Sequence, residues 1–236
     1  MKYTARERGF TLWELLVSLL VVGIVLGFGV PNFMEFQRNG AMTSAANNLV
    51  TATLLARSQA VQRQVPVTFC LSDNPTAPIP TCQGDAVADS PTRGFIVWVD
   101  ENGDFDALGA PDLSDATDGN GVFDAAAGEQ LLVQSAAPGG SILVSASCGY
   151  VGYAPNGWRR AIPGLCPAGE ANPFRSFLYC DDRGARVTAG NISTARVVRV
   201  DQPGRGQVLQ ETADVNAALG NALELGAVGI ASCPIS

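Results

Sequence analysis

A run of twenty residues without a single charge, from Leu15 to Met34, constrains this chain more than any other feature of its sequence. A helix rises about 1.5 Å per residue, so a run of this length reaches across the roughly 30 Å hydrocarbon core of a bilayer. The run therefore predicts one membrane-spanning helix, placed at about residues 12–34.

The flanks of this run distinguish a membrane anchor from a secretory signal peptide. A signal peptide has a short apolar core that ends in a small-residue cleavage site, with no acid near its start, whereas Glu14 stands at the entrance of this run. Lys2, Arg6 and Arg8 against Glu7 form a positive flank that is expected to stay cytoplasmic while the rest is exported. A carboxylate at the edge of a membrane helix is costly, so Glu14 requires a partner or a function.

The residues around the start of the run, Gly9-Phe10-Thr11-Leu12-Trp13-Glu14, resemble the class III leader of type IV pilins and type II secretion pseudopilins. The resemblance implies that a prepilin peptidase cuts after Gly9 and methylates the new amino terminus at Phe10. It also implies that Glu14 neutralises the amine of a neighbouring subunit's Phe10 during filament assembly, since a buried charge is tolerated when it is paired. The alternative is a simple signal anchor in which the Glu14 side chain reaches back to the membrane interface.

Further blocks resemble one branch of that family, the GspH/FimT (FimU) minor pseudopilins. Residues 56–67 (ARSQAVQRQVPV) look like its helix end leading into the first strand, and residues 94–100 (GFIVWVD) look like a later strand. Residues 177–181 and 195–205 look like its closing strands. The chain departs from the branch by a longer segment at 100–129 and by an extra tail at 210–236.

The predicted fold is α+β, with one long N-terminal α-helix packed on an antiparallel β-sheet domain. Alanines recur at three- and four-residue steps up to Ala60, and such a stripe lets a sheet approach closely. The helix is expected to stop at Val65-Pro66, because the residue before a proline is pushed out of the α region. The predicted organisation is a leader (1–9), a helix (10–64) and a β-rich domain (65–236) that contains an Asp-rich loop (100–129) and a C-terminal tail (210–236).

Six cysteines all lie beyond the apolar run, and an even number in an exported domain is typical of disulfides. No pair has CxxC spacing and the sequence contains no histidine, so a zinc site is not expected. Proximity in the sequence, and exclusion for the last pair, favour Cys70–Cys82, Cys148–Cys166 and Cys180–Cys233 among the fifteen pairings that six cysteines allow.

Two copies of the pattern D-x-N-G-x-F-D, starting at Asp100 and Asp118, form the most concrete candidate site. Alternating oxygen ligands with a glycine that permits a tight bend suit a hard cation such as calcium, although neither copy completes an EF-hand. The alternative is a pair of solvated turns in which Asp and Asn side chains cap their own backbone. The candidate calcium ligands are Asp100, Asn102, Asp104, Asp106, Asp118, Asn120, Asp124 and Glu129.

Eight arginines against four acids between Arg159 and Arg205 suggest a nucleic-acid surface, with Arg196, Arg199 and Arg205 as candidate contacts. Relatives of the FimT type that bind DNA carry a GRxR motif, and residues 204–207 (GRGQ) have glutamine in place of the second arginine. The net charge of −7, which becomes −9 without residues 1–9, also opposes strong attraction to nucleic acid. Pairing of these arginines with acids of adjacent subunits is an equally good interpretation.

Catalysis has little support, because nucleophile systems that depend on histidine are impossible in a chain without it. The predicted function is a non-catalytic minor pilin of a type IV pilus tip or initiation complex, with no required cofactor. The alternatives are a type II secretion minor pseudopilin and a filament-tip module that binds DNA or a surface. Expected partners are other major and minor pilins or pseudopilins, the prepilin peptidase/methyltransferase and the inner membrane. After storage there, the domain would lie in an extracellular pilus or a periplasmic pseudopilus.

Overall fold

The computed structural model describes residues 9–83, 87–100, 123, 125, 128–160, 174–221, 225 and 233. In this part of the chain one long helix precedes ten short strands, and a second helix follows the last strand. The elements are α1 (Leu12–Arg63), β1 (Val67–Ser72), β2 (Val87–Ser90), β3 (Gly94–Val99), β4 (Gln130–Ser135), β5 (Leu143–Ala146), β6 (Tyr150–Tyr153), β7 (Arg159–Arg160), β8 (Arg175–Cys180), a 3-10 turn (Ala189–Asn191), β9 (Ile192–Val200), β10 (Gly206–Glu211) and α2 (Thr212–Gly220).

Helix α1 ends close to the predicted boundary. Arg63 is its last residue, and Gln64 has a left-handed backbone with a φ of 58°. Val65 precedes a proline and is therefore disfavoured in a helix, so the chain turns and enters β1 at Val67.

The chain forms two compact units, residues 1–40 and 41–236, and α1 supplies residues to both. In the first unit, every described side chain from Leu12 to Arg38 is exposed. By length and composition this helix can cross a membrane, and none of its most apolar stretch is buried within the protein. A helix that is apolar all round requires a cover of lipid or of other helices.

In the second unit, the described strands form two five-stranded sheets in which neighbouring strands are antiparallel. The first sheet has the order β4-β3-β1-β6-β7, and the second has the order β10-β9-β8-β5-β2. The predicted α+β class is confirmed, with the difference that the strands divide between two sheets. Sequence patterns locate strands but do not say which sheet each one joins, because the pairing partners are distant in the chain.

The main core lies between α1 and the inner faces of both sheets. The alanine stripe is buried there, and Ala46, Ala56 and Ala60 have no exposed surface. These small side chains let the strands come close: a Cβ placed on Gly206 of β10 would lie 2.9 Å from Oγ1 of Thr53.

Phe69 of β1 joins the two sheets at the centre of this core. Its ring centroid lies 5.3 Å from that of Phe95 in the first sheet and 5.5 Å from that of Phe177 in the second. The contact with Phe177 is edge to face, an arrangement that aromatic rings favour. The two inner faces therefore pack as one hydrophobic unit with the helix.

The outer face of each sheet is covered as well, which explains why both faces of β1, β3 and β8 are buried. On the first sheet, Phe123 packs against Trp98 with ring centroids 6.4 Å apart. On the second sheet, α2 and residues further along the tail cover Leu178 and Val197. The residues of that second cover are Val215, Ala218, Leu219, Leu225 and Cys233. Both covers come from the two stretches in which the chain departs from the GspH/FimT pattern.

A disulfide bond lies at the outer face of each sheet. The structure contains Cys70–Cys82 beside the cover of the first sheet and Cys180–Cys233 within the cover of the second, which are two of the three predicted pairs. Cys148 is also disulfide-bonded. Its predicted partner, Cys166, lies outside the described residues.

Candidate functional site

The start of α1 holds Glu14 in a defined position. Oε2 of Glu14 accepts hydrogen bonds from the backbone N–H and the hydroxyl of Thr11, both at 3.0 Å. In return, the backbone N–H of Glu14 donates to Oγ1 of Thr11 at 3.3 Å. This reciprocal arrangement is a capping box, in which Thr11 is the N-cap of the helix and Glu14 occupies the third helical position.

Thr11 is a site residue that our reading of the sequence missed. The signal was present, because Thr11-Leu12-Trp13-Glu14 has the T-x-x-E spacing of a capping box directly before an apolar run. The family resemblance implies a partner for Glu14 in another subunit and does not indicate an N-cap partner in its own chain. The structure adds that the carboxylate is already oriented by its own chain.

The other polar side chains of the apolar stretch bond to their own helix. The Ser18 hydroxyl donates to the carbonyl of Leu15 at 2.9 Å, and the Asn32 amide donates to the carbonyl of Phe28 at 2.9 Å. Such internal bonds make a polar side chain compatible with lipid or with neighbouring helices. Glu14 is therefore the one group of this stretch that carries a full charge.

Gly9 and Phe10 precede the helix and are exposed. The side chain of Phe10 retains 88% of its accessible surface. The bond between these two residues thus lies in non-helical backbone, two residues before the first residue of α1. This is the bond at which the leader resemblance implies cleavage.

The structure places Asp100, one of the candidate metal ligands, in a buried ion pair. Its Oδ2 accepts a hydrogen bond from Nη2 of Arg160 at 2.8 Å and another from the Thr68 hydroxyl at 3.4 Å, and its side chain is buried. Burial lowers the pKa of Arg160, and the adjacent carboxylate of Asp100 raises it again. Sequence reasoning missed this pair, because Arg160 lies sixty residues away and joins Asp100 only when β7 enters the first sheet.

The remaining candidate calcium ligands are not brought into a site that the structure describes. Glu129 is buried just before β4. No group of three metal-ligating side chains occurs among the described residues. The other six candidates lie outside the described residues: Asn102, Asp104, Asp106, Asp118, Asn120 and Asp124.

The three candidate DNA contacts do not form one surface. Arg196 is buried, donates to the carbonyls of Ser193 and Ala195, and has a pKa lowered by burial and by its neighbour Arg183. Arg199 lies three residues further along β9, and residues three apart on a strand face opposite sides of the sheet.

Arg199 and Arg205 already have partners in this chain. The guanidinium of Arg199 stacks over the ring of Phe174 at 4.7 Å. Arg205 is the exposed member of the three, and it pairs with Asp201 at 3.2 Å. The two contacts occupy different elements, since Arg199 belongs to β9 and Arg205 to the turn that follows it.

Two models of known protein families match this chain. A model of the family described as type II transport protein GspH matches residues 45–204. A model of the prokaryotic N-terminal methylation motif matches residues 4–30, the stretch that contains Gly9, Phe10 and Glu14.

A curated relative matches a short part of this chain. The type IV major pilin protein PilA of Myxococcus xanthus (strain DK1622) is 38% identical over 48 residues, which make up 20% of this chain and 22% of PilA. This chain thus matches about a fifth of the length of that relative.

Two crystal structures of the type IV minor pilin FimU of Pseudomonas aeruginosa (strain PAO1) show a distant likeness. The first is 16% identical, with a TM-score of 0.40 over 75% of this chain and 94% of FimU. The second is 15% identical, with a TM-score of 0.36 over 72% of this chain and 94% of FimU. The GspH model, by contrast, covers well over half of the sequence and includes the inner strands of both sheets. The chain therefore belongs to the GspH family of type II transport proteins.

Proposed function

We propose that this chain is a minor pilin, a non-catalytic structural subunit of a type IV pilus tip or initiation complex. The observation that carries the proposal is the exposed apolar half of α1, with a single carboxylate held at its entrance by Thr11. That surface is stable in a lipid bilayer and equally stable within a bundle of like helices, so the helix can pass from the inner membrane into a filament.

Glu14 sets the position of the helix in the filament through a charge pair. In the membrane, its carboxylate is held at the helix N-terminus, where the macrodipole favours negative charge. In a filament, it pairs with the amino terminus of a neighbouring Phe10, which removes two unpaired charges at once. The pair forms only when the two helices are in the correct register, so Glu14 selects the position of each incoming subunit.

Processing at Gly9 creates the amine that this step requires. After cleavage, the chain contains no lysine, because Lys2 is the only one in the sequence. The N-methylated amine of Phe10 is then the only amine of the mature protein. We infer that the chain is stored in the inner membrane with its N-terminus cytoplasmic and residues 41–236 in the periplasm.

The test is intact mass and N-terminal sequencing of the protein recovered from membranes and from sheared filaments of a host with its own prepilin peptidase. We expect a chain that starts at N-methylated Phe10 and is present in both fractions. A chain that still starts at Met1, or one that is cut beyond the apolar run, would overturn the proposal.

Glu14→Gln tests the assembly role and has a matched control in Glu35→Gln. Both residues lie on α1 and both substitutions remove one carboxylate, but Glu35 lies at the other end of the apolar run. We expect both variants to be cleaved and methylated, with only Glu14→Gln lost from the filament fraction. Equal recovery of the two variants would contradict a pairing role for Glu14.

Membership of a family of type II transport proteins favours a second candidate, a minor pseudopilin of a type II secretion system. Its helix would work in the same way, but the filament would remain in the periplasm. Fractionation separates the two, because a pilus subunit is released from the cell surface by shear and a pseudopilin is released only when the outer membrane is opened.

A further inference from the structure

One tryptophan of the globular unit is exposed on a rigid hairpin. Trp158, in the turn between β6 and β7, retains 54% of its accessible surface, whereas Trp98 in β3 is fully buried. A large exposed aromatic side chain is more informative than an exposed leucine, since tryptophan is usually well covered in folded proteins. Tryptophan is also enriched among the few residues that contribute most of the binding free energy of protein interfaces.

The turn that carries Trp158 is held by four hydrogen bonds. Within it, the N–H of Gly157 donates to the carbonyl of Ala154 at 2.8 Å, and the N–H of Trp158 donates to Oδ1 of Asn156 at 2.9 Å. The N–H of Ala154 donates to the carbonyl of Trp158 at 2.9 Å, and Nε of Arg57 donates to the carbonyl of Gly157 at 2.9 Å. The backbone that presents the indole is therefore preorganised, which reduces the entropy lost on binding.

Helix α1 extends the apolar area beside the hairpin. Leu54, Arg57 and Val61 are separated by three and four residues, so they lie on one face of the helix. This face contacts the turn directly, because a Cβ placed on Gly157 would lie 2.9 Å from Cγ2 of Val61. Leu54 and Val61 are 45% and 44% exposed, so the helix face beside the hairpin also presents apolar surface.

A second turn places another arginine beside the same area. The N–H of Arg159 donates to the carbonyl of Gln202 at 3.0 Å, which joins the hairpin to the turn between β9 and β10. Gly204 of that turn approaches so closely that an added Cβ would lie 2.9 Å from the carbonyl oxygen of Gly157. Arg205 follows with a side chain that is 70% exposed. We name Leu54, Arg57, Val61, Trp158 and Arg205 the Trp158 surface.

The charge of this surface is opposite to that of the chain as a whole. Arg57 and Arg205 flank the apolar residues. In the two turns and on this helix face, all of which the structure describes, the one acid is Asp201, whose side chain is 23% exposed and paired with Arg205. The whole chain carries a net charge of −7, so a local positive area of this kind attracts a partner that presents carboxylates.

We propose that the Trp158 surface docks the globular domain of an adjacent pilin subunit, on an apolar pocket rimmed by carboxylates. The indole, Leu54 and Val61 fill the pocket, and the N–H groups that Arg57 and Arg205 do not use for Gly157 and Asp201 pair with its rim. Two arginines on an acidic chain suit nucleic acid poorly, and aliphatic side chains from a helix find no partner on a phosphate backbone. The inference rests on the proposed function, because it supplies the filament in which such a neighbour exists.

The test uses the full chain in its native host with the photoreactive residue p-benzoylphenylalanine at position 158. The control carries the same residue at Ile79, another apolar side chain, which is 63% exposed. After irradiation of sheared filaments, we expect an adduct with another pilin from position 158 and none from position 79. An adduct with DNA or lipid, or no subunit adduct at position 158, would overturn the inference while the presence of the chain in filaments still supports the proposed function.

Trp158→Ala provides a second measurement with Ile79→Ala as its control. Truncation of a buried tryptophan anchor typically weakens binding at least about tenfold, so recovery of Trp158→Ala in filaments should fall while Ile79→Ala matches the wild type. Equal recovery of both variants would overturn the inference. Absence of the wild-type chain from every filament fraction would overturn the proposed function itself, and the docking inference with it.

Discussion

Removal of the Cys180–Cys233 disulfide should destabilise the globular unit more than removal of Cys70–Cys82. The two bonds span 53 and 12 residues of chain. On the chain-entropy model, loops of these lengths contribute about 4.2 and about 2.8 kcal/mol at 25 °C. The double variants Cys180→Ala/Cys233→Ala and Cys70→Ala/Cys82→Ala should therefore differ by about 1.4 kcal/mol in the free energy of unfolding.

Loss of the Cys180–Cys233 bond should also loosen one part of the protein, the outer face of the second sheet. Cys233 is buried with α2 against the outer face of the second sheet, where Leu178 and Val197 lie. Loss of the bond removes the covalent attachment of the tail and lets this cover open. Hydrogen exchange should therefore rise in β8 and β9 of the Cys180→Ala/Cys233→Ala variant before the first sheet is affected.

The assay is urea unfolding of the full-length protein in detergent, followed by tryptophan fluorescence, with hydrogen exchange measured on the same samples. Trp98 reports on the first sheet, because it is buried in the cover beside Cys70. Equal stability of the two double variants, a lower stability of Cys70→Ala/Cys82→Ala, or an even rise of hydrogen exchange in both sheets would contradict this prediction.

Two further substitutions test contacts in the second unit. Gly204→Ala should lower the free energy of unfolding by about 3 kcal/mol. Left-handed backbone strain accounts for about 1–2 kcal/mol of this loss. The rest comes from a clash with the Tyr153 ring, which lies 2.7 Å from an added Cβ. Gly190 has nearly the same φ, but no atom lies within 4 Å of a Cβ added there, so Gly190→Ala should show the backbone strain alone in urea unfolding. Equal losses of stability in the Gly190→Ala and Gly204→Ala variants would contradict the close packing at Gly204. Asp100→Asn should lower stability by about 3–5 kcal/mol, because it leaves the buried guanidinium of Arg160 without its carboxylate. The double change Asp100→Leu/Arg160→Met should restore much of that loss, and a double variant as unstable as the single one would show that the charge pair is not the cause.

Much of this protein could be read from local patterns. The apolar run and the helix end before Pro66 depend on residues close together in the chain, and the structure has the helix where those patterns place it. The T-x-x-E spacing of Thr11 and Glu14 is equally local, and it is sufficient to predict the capping box. Short-range features of this kind follow from backbone geometry and side-chain size, which any window of sequence contains.

Contacts between distant segments depended on the tertiary structure. The division of ten strands into two sheets, the pairing of Asp100 with Arg160 and the separation of Arg196 from Arg199 all follow from which strands become neighbours. The same packing places Phe123 over the outer face of the first sheet, and α2, Leu225 and Cys233 over the outer face of the second. Such contacts join residues tens of positions apart, and their free energy depends on the apolar area that both partners bury together. No short window of sequence contains that quantity.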